Sequence, residues 1–290
     1  MRNLYLPSAV FTVGLFLLAS FNVTAQKMEV ADVVARHKAS IGTAEALAAV
    51  KNQLVLTNAR FTFKGSANVI AGRALILSAG DKNLWGMNFA SNDYPQDRFG
   101  FDGKDARVGK STPNTRSLLG EFLNNNRTIL KDGLLGGTLS SAWPLLEANA
   151  RGAKVKLEGT KKIDGKETIV LSYAPKASSD LVIKFYLDSS THQHLRTEYT
   201  LVRAAIQGSS VDNSAGQSGA VYKLVEEFSN FSKMGQLTLP RDYKITYSRS
   251  GGAGLAVAQN ANRDAEWTFT VTDFGINREL DANSFAIEGK

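Results

Sequence analysis

Three histidines are the residues of this 290-residue chain whose side chains could bind a metal ion or transfer a proton. His192 and His194 lie two positions apart in a predicted strand, so their rings would share one face. A zinc ion requires three or four ligands, and the chain contains no cysteine to complete such a set. We therefore interpret this pair as ordinary surface histidines. His37 lies on the apolar face of a predicted helix and is expected to pack there or to cap the helix. With so few possible ligands, the sequence predicts no metal and no cofactor.

Arrangements for covalent or acid–base catalysis are also missing from the sequence. No G-x-S-x-G nucleophile elbow and no P-loop lysine motif occurs. Glu226 and Glu227 are adjacent, so in a strand their carboxyl groups point to opposite faces and cannot act as a pair. The sequence thus favours a protein that is not an enzyme. A hydrolase of envelope material remains a third hypothesis that no residue constellation supports.

Aromatic and basic residues alternate between Arg60 and Lys64 and could imitate a platform on which nucleic-acid bases stack. Any half-buried strand has the same alternation, with Phe61 and Phe63 on one face. The formal net charge of +7 comes from basic residues that are scattered along the chain. We therefore expect no nucleic-acid partner.

The first 25 residues are predicted to be a secretory signal segment. Arg2 precedes an apolar run over residues 9–21, and Val23-Thr24-Ala25 is a small-residue cleavage pattern. Cleavage after Ala25 would deliver residues 26–290 to the periplasm or the exterior as one domain. The apolar run is shorter than the roughly 20 residues of a membrane-spanning helix.

Periodicity divides the mature chain into helical and extended parts. Residues 27–51 have the spacing of two short helices, with Thr43 as the expected N-cap of the second. From there to Phe274 the period is mostly two, with Gly, Asp and Asn at the turns. The pattern predicts an α+β protein that is mainly β, with about ten antiparallel strands in an open half-barrel.

A helical region over residues 115–150 interrupts the strands. Its apolar residues recur at helical spacing, and glycines at 133, 136 and 137 break it. We interpret it as a lid over the concave face of the sheet, and one that could move. The predicted lid residues are Leu118, Leu119, Phe122, Leu134 and Trp143.

Large apolar side chains are distributed over many of the strands. An open sheet with an under-filled concave face would bind acyl chains, because burial yields about 0.8 kcal/mol per methylene. The predicted ligand-binding wall consists of Phe61, Phe63, Ile183, Phe185, Tyr199, Ile245, Trp267 and Phe269. The alternative is that these side chains form an ordinary filled core.

Several segments of the chain resemble bacterial outer-membrane lipoprotein-sorting proteins, the carrier superfamily of the LolA, LolB and LppX type. The resemblance rests on residues 34–47, on Phe101-Asp102-Gly103-Lys104, on residues 185–191, on Glu226-Glu227-Phe228 and on Leu237-Thr238-Leu239-Pro240. It implies an open antiparallel half-barrel, with helices over an apolar interior that receives acyl chains. These motifs are turns and packing residues, which specify fold more than function.

Two functional hypotheses follow from the sequence and the resemblance. The first is a periplasmic binding or carrier protein for a lipid or acylated lipoprotein, with possible partner proteins at the inner or outer membrane. The second is a non-catalytic envelope scaffold that has the same fold but no ligand cavity.

Overall fold

The computed structural model describes residues 28–147, 152–177, 179–204, 219–251, 264–281 and 283–287. The predicted signal segment, residues 1–25, lies outside the described residues. So does most of the two polar stretches that the sequence suggests are loops, residues 207–219 and 249–263.

Two short helices precede the sheet, as the periodicity predicts. Helix α1 spans Val30–Ile41 and helix α2 spans Ala44–Ala48. The Thr43 hydroxyl accepts a hydrogen bond from the backbone N–H of Ala46 at 3.2 Å. Thr43 therefore caps α2, because its oxygen satisfies an N–H that has no partner within the helix.

Twelve antiparallel strands form one sheet in the described part of the chain. In chain order they are β1 (Gln53–Phe63), β2 (Val69–Ala79), β3 (Lys82–Phe89), β4 (Gln96–Phe101), β5 (Ala106–Val108), β6 (Lys154–Ile163), β7 (Lys166–Ala174), β8 (Leu181–Asp188), β9 (His194–Arg203), β10 (Ala220–Met234), β11 (Leu237–Gly251) and β12 (Ala265–Ile276).

The sheet is open, because its two edge strands do not pair with each other. The strand order is β5-β4-β3-β2-β1-β12-β11-β10-β9-β8-β7-β6. Only the pairing of β1 with β12 joins strands that are distant in sequence, and it brings Phe61 opposite Trp267. The estimate of about ten strands was too low. Edge strand β5 has only three residues, which are too few to show an alternation of apolar and polar residues in the sequence.

One segment, residues 115–147, is packed against the sheet, and we call it the cover segment. It contains helices α3 (Leu118–Asn125) and α4 (Thr128–Lys131) and 3₁₀ turns at Gly137–Leu139 and Pro144–Leu146. Helical turns occupy parts of the predicted helical region, and its last residues, 148–150, lie outside the described chain. Four of the five predicted lid residues are buried, namely Leu119, Phe122, Leu134 and Trp143, and Leu118 is half-buried.

Side chains of the cover segment pack against the inner face of the sheet. Trp143 lies with its ring centroid 4.7 Å from that of Phe185 on β8 and 4.4 Å from that of His194 on β9. Leu119, Leu123 and other leucines of the segment are fully buried in the same core. Where the cover segment lies, the inner face is therefore covered by packed side chains of this chain.

We expect Trp143→Ala to lower the free energy of unfolding by about 3–5 kcal/mol, because it removes a large side chain from a packed core. Urea denaturation of the mature protein measures the change. Val182→Ala is the matched control, since Val182 lies on β8 and is 52% exposed, and we expect it to cost about 1 kcal/mol or less. Equal losses in the two variants would show that the cover segment is not part of the cooperative core.

Candidate ligand-binding site

A cavity, which we call the apolar cavity after its aromatic wall, opens where the cover segment begins, and nine of its fifteen lining residues are polar. It has a volume of about 540 Å³. It lies between the end of the β1–β2 hairpin, strand β12 and the first residues of the cover segment. Its apolar lining consists of Phe61, Phe63, Ile70, Tyr94, Leu118 and Trp267. This volume is within the roughly 300–1,000 Å³ of small-molecule sites.

Aromatic rings form one wall of this cavity. The ring centroid of Phe61 is 5.1 Å from that of Phe63, 4.7 Å from that of Tyr94 and 5.2 Å from that of Trp267. These rings come from β1, from the loop before β4 and from β12, so only the folded sheet brings them together. Packed rings of this kind present a rigid apolar surface to a ligand.

The predicted wall residues therefore divide into two groups. Phe61, Phe63 and Trp267 border the cavity, although Phe61 and Trp267 are also buried in the core and only Phe63 is half-buried. The other five are buried in the core, and they are Ile183, Phe185, Tyr199, Ile245 and Phe269. The sequence pattern could not separate the groups, because both have the same alternation along a strand.

A buried aspartate holds the cover segment in place beside the cavity. Asp97 accepts hydrogen bonds from the hydroxyls of Tyr94 at 2.5 Å and Ser117 at 2.6 Å. Ser117 is also the N-cap of α3, since its hydroxyl accepts from the backbone N–H of Gly120 at 2.8 Å. Burial raises the pKa of Asp97 to about 6, although these two hydrogen bonds act to lower it.

A buried glutamate forms a second attachment in the middle of the cover segment. Glu226 accepts from the hydroxyls of Tyr199 at 2.6 Å and Tyr243 at 2.5 Å. It also accepts from the backbone N–H of Gly136 at 2.6 Å. Burial raises the pKa of Glu226 to about 7, against the lowering effect of the three donors. One carboxyl group thus joins the cover segment to β9, β10 and β11.

Glycine is required at position 136 for this contact. Its φ is +86°, and a Cβ atom there would lie 2.5 Å from the Trp85 ring. A larger residue would therefore strain the backbone and displace a fully buried tryptophan.

Two histidines are buried under the cover segment. His37 accepts from Trp143 Nε1 at 3.0 Å through its Nε2, so its Nδ1–H donates to the backbone oxygen of His192 at 2.9 Å. Burial lowers the pKa of His37 to about 4. Burial also lowers the pKa of His194, whose ring lies against that of Trp143. The packed role predicted for His37 is confirmed.

The prediction of a surface pair at His192 and His194 was wrong. Strand β9 begins at His194, and His192 lies in the preceding turn with φ +59°, so strand alternation does not apply to it. His194 is fully buried. Among the described residues, no group of three or more His, Asp or Glu side chains is placed to hold a metal ion.

The buried carboxyl groups of Asp97 and Glu226 were not identified from the sequence as attachment points. An acid between apolar neighbours, as in Leu224-Val225-Glu226, is a weak signal of a buried charge. Asp97 lies between Gln96 and Arg98 and carries no such signal. Glu227, by contrast, lies on the other face beside Arg196 and Lys244, as the alternation predicts.

The raised pKa of Glu226 predicts a pH dependence of stability. The ordinary pKa of glutamate is 4.5. Between pH 4.5 and about pH 7, the folded chain keeps a proton on the Glu226 carboxyl group that the unfolded chain releases. This contribution to stability is therefore complete below pH 4.5 and is lost as the pH rises to about 7. Glu226→Gln cannot titrate, so we expect wild type to lose stability relative to this variant across that window.

Urea unfolding of both proteins from pH 4.5 to 8 measures this difference. Asp97, His37 and His194 titrate in both proteins, so their contributions cancel in the comparison. Parallel stability curves would contradict the assignment of the raised pKa to Glu226.

Comparison with known proteins gives structural similarities only. No protein-family model matches the chain, and no curated protein matches its sequence. No helix in the described ranges is long and apolar enough to cross a membrane.

Three solved structures are similar over most of the chain. An outer membrane lipoprotein-sorting protein domain from Vibrio parahaemolyticus has 12% identity and a TM-score of 0.45, covering 88% of this chain and 95% of that one. A DUF1329 family protein from Desulfovibrio piger has 11% identity and a TM-score of 0.46, covering 88% and 96%. A LolA superfamily protein from Nitrosomonas europaea has 14% identity and a TM-score of 0.46, covering 90% and 98%. The names of the first and third of these proteins are those of the class that the sequence resembles.

Proposed function

We propose that this protein binds the acyl chain of a lipid or lipoprotein in the cavity at the start of the cover segment. The observation that carries this proposal is the cavity itself, with an aromatic wall of Phe61, Phe63 and Trp267. Such a protein acts by non-covalent binding, as a store or as a carrier of its ligand.

An acyl chain suits the chemistry of this cavity. The lining combines aromatic rings with Ile70 and Leu118, which are aliphatic. Each methylene that leaves water for such a surface gains about 0.8 kcal/mol, so a segment of about eight methylenes would gain about 6 kcal/mol before the costs of ordering the chain. The other lining residues are polar, Ser66, Asn68, Asp93 and Thr115 among them, and would face polar or hydrated parts of the ligand.

The bacterial envelope is the proposed place of action. The signal-like segment of residues 1–25 supports export. A lipid carrier there would meet membranes or membrane proteins when it loads and unloads. We therefore propose partners at the inner or outer membrane, and no nucleic-acid partner.

The packed inner face supports a second candidate function. Trp143 and the leucines of the cover segment occupy the inner face, where the sequence pattern predicts a wide cavity for acyl chains. An envelope scaffold or interaction protein would need no cavity and would have such an interior. Lipid extraction and mass spectrometry of protein purified from its host without detergent separate the two functions. A stoichiometric acylated species supports the carrier, and a lipid-free protein that rejects acyl probes supports the scaffold.

We expect Ile70→Trp to weaken the binding of a fluorescent acyl probe by about tenfold or more, because the larger side chain would occupy the cavity. Val69→Trp is the matched control. Val69 is the preceding residue of β2, it is 51% exposed and it does not line the cavity. Thermal unfolding of both variants checks that they fold. Equal probe affinity in the two variants would place the acyl chain elsewhere.

A disulfide can test whether binding requires the cover segment to move. The hydroxyl oxygens of Ser78 on β2 and Ser141 in the cover segment are 2.9 Å apart, so cysteines at these two positions would bring their sulfur atoms close together. The chain contains no other cysteine. We expect the oxidised Ser78→Cys, Ser141→Cys protein to bind the acyl probe as well as its reduced form does.

The reduced form of the same protein is the control, since it differs only in the crosslink. Loss of binding on oxidation, and recovery on reduction, would show that the ligand enters the inner face beneath the cover segment. That result would contradict the proposed cavity.

A further inference from the structure

A groove of about 930 Å³ adjoins the apolar cavity at its polar end. It is formed by the end of β5, the loop that follows β5 and part of the cover segment. The two spaces share Ser111 and Arg116 as lining residues, so they meet at these side chains.

All the charged residues that line the groove are cations. They are Arg107, Lys110, Arg116 and Arg127. Clustered like charges that face one space repel each other, and an anion in the groove would relieve that repulsion. Arginine also binds phosphate and carboxylate groups through paired hydrogen bonds.

Acids near the groove neutralise only part of this charge. Asp105 lies 3.3 Å from Arg107, and Glu121 lies 3.9 Å from Arg116, and both acids are about half exposed. Exposed pairs of this kind are weak and can exchange for a ligand. Lys110 and Arg127 form no ion pair with any described residue.

Ser111 supplies a second and independent observation. It is 4% exposed, and its hydroxyl oxygen has no hydrogen-bond partner within the described ranges. Buried hydroxyl groups normally have a partner. A polar ligand group at the junction of the two spaces would provide one.

We propose that the ligand is an anionic lipid, whose phosphate-bearing headgroup lies in the basic groove while its acyl chain lies in the apolar cavity. This assignment rests on the proposed acyl-binding function. It adds the charge of the ligand and its direction, with the headgroup toward Lys110 and the chain end toward Phe61.

Two lipids that differ only in the phosphate test this assignment. Oleoyl lysophosphatidic acid and monooleoylglycerol have the same acyl chain, and each can displace a fluorescent acyl probe from the mature protein below its micelle concentration. We expect the phosphorylated lipid to bind more tightly than the neutral one, by a factor of about ten or greater. Added salt should reduce the difference, because Arg107, Lys110 and Arg127 are exposed to solvent.

A charge-matched pair of variants locates the headgroup. Arg107→Gln with Lys110→Gln should remove most of the preference and leave the affinity for monooleoylglycerol unchanged. Lys162→Gln with Lys233→Gln loses the same charge at exposed positions outside the groove, and it should keep the preference.

The outcomes of these measurements distinguish failure of the headgroup assignment from failure of the acyl-binding function. Equal affinity of wild type for the two lipids, or equal preference in both double variants, would overturn the headgroup assignment while the acyl-binding function stands. Binding of neither lipid would overturn both proposals. Inorganic phosphate that binds as tightly as the phosphorylated lipid would show a free-anion site instead of a headgroup site.

Discussion

The attachment of the cover segment to an open sheet is the constraint on which the rest of this structure depends. An open sheet with an apolar inner face requires a second layer. Residues 115–147 provide that layer, and the carboxyl group of Glu226 connects it to three neighbouring strands. Asp97 performs the same function where the segment begins, through Ser117. Leucines and Trp143 supply the apolar area between these two points.

Burial shifts the titratable groups of this core toward their neutral forms. It raises the pKa of Asp97 and Glu226 and lowers the pKa of His37 and His194. The acids and the histidines thus shift in opposite directions for one reason, the loss of hydration. Each neutral group still has hydrogen-bond partners, so the core contains polar contacts that give direction to the packing of the cover segment.

The candidate site lies where this second layer begins, around residue 115. Next to the residues that precede α3, the end of the β1–β2 hairpin presents the partly buried side chains of Phe63 and Ile70, and the cavity forms there. Arg116 lies at its border, between the apolar lining and the basic groove. The residue just before the helix cap therefore belongs to both spaces, and the anchoring of the cover segment also places the site.

The sequence by itself determined the local structure, because period, turn residues and caps act over a few positions. The sequence was sufficient to predict the helices at 30–48, the antiparallel strands and the interruption of the strands after residue 115. It also predicted that Glu226 and Glu227 point to opposite faces. Only the tertiary structure decided which apolar residues are core and which line a cavity. That difference depends on whether a side chain distant in sequence, such as Trp143 over Phe185, fills the space above a strand. The burial of His194 and the basic groove have the same origin, since both are formed by segments that only the fold brings together.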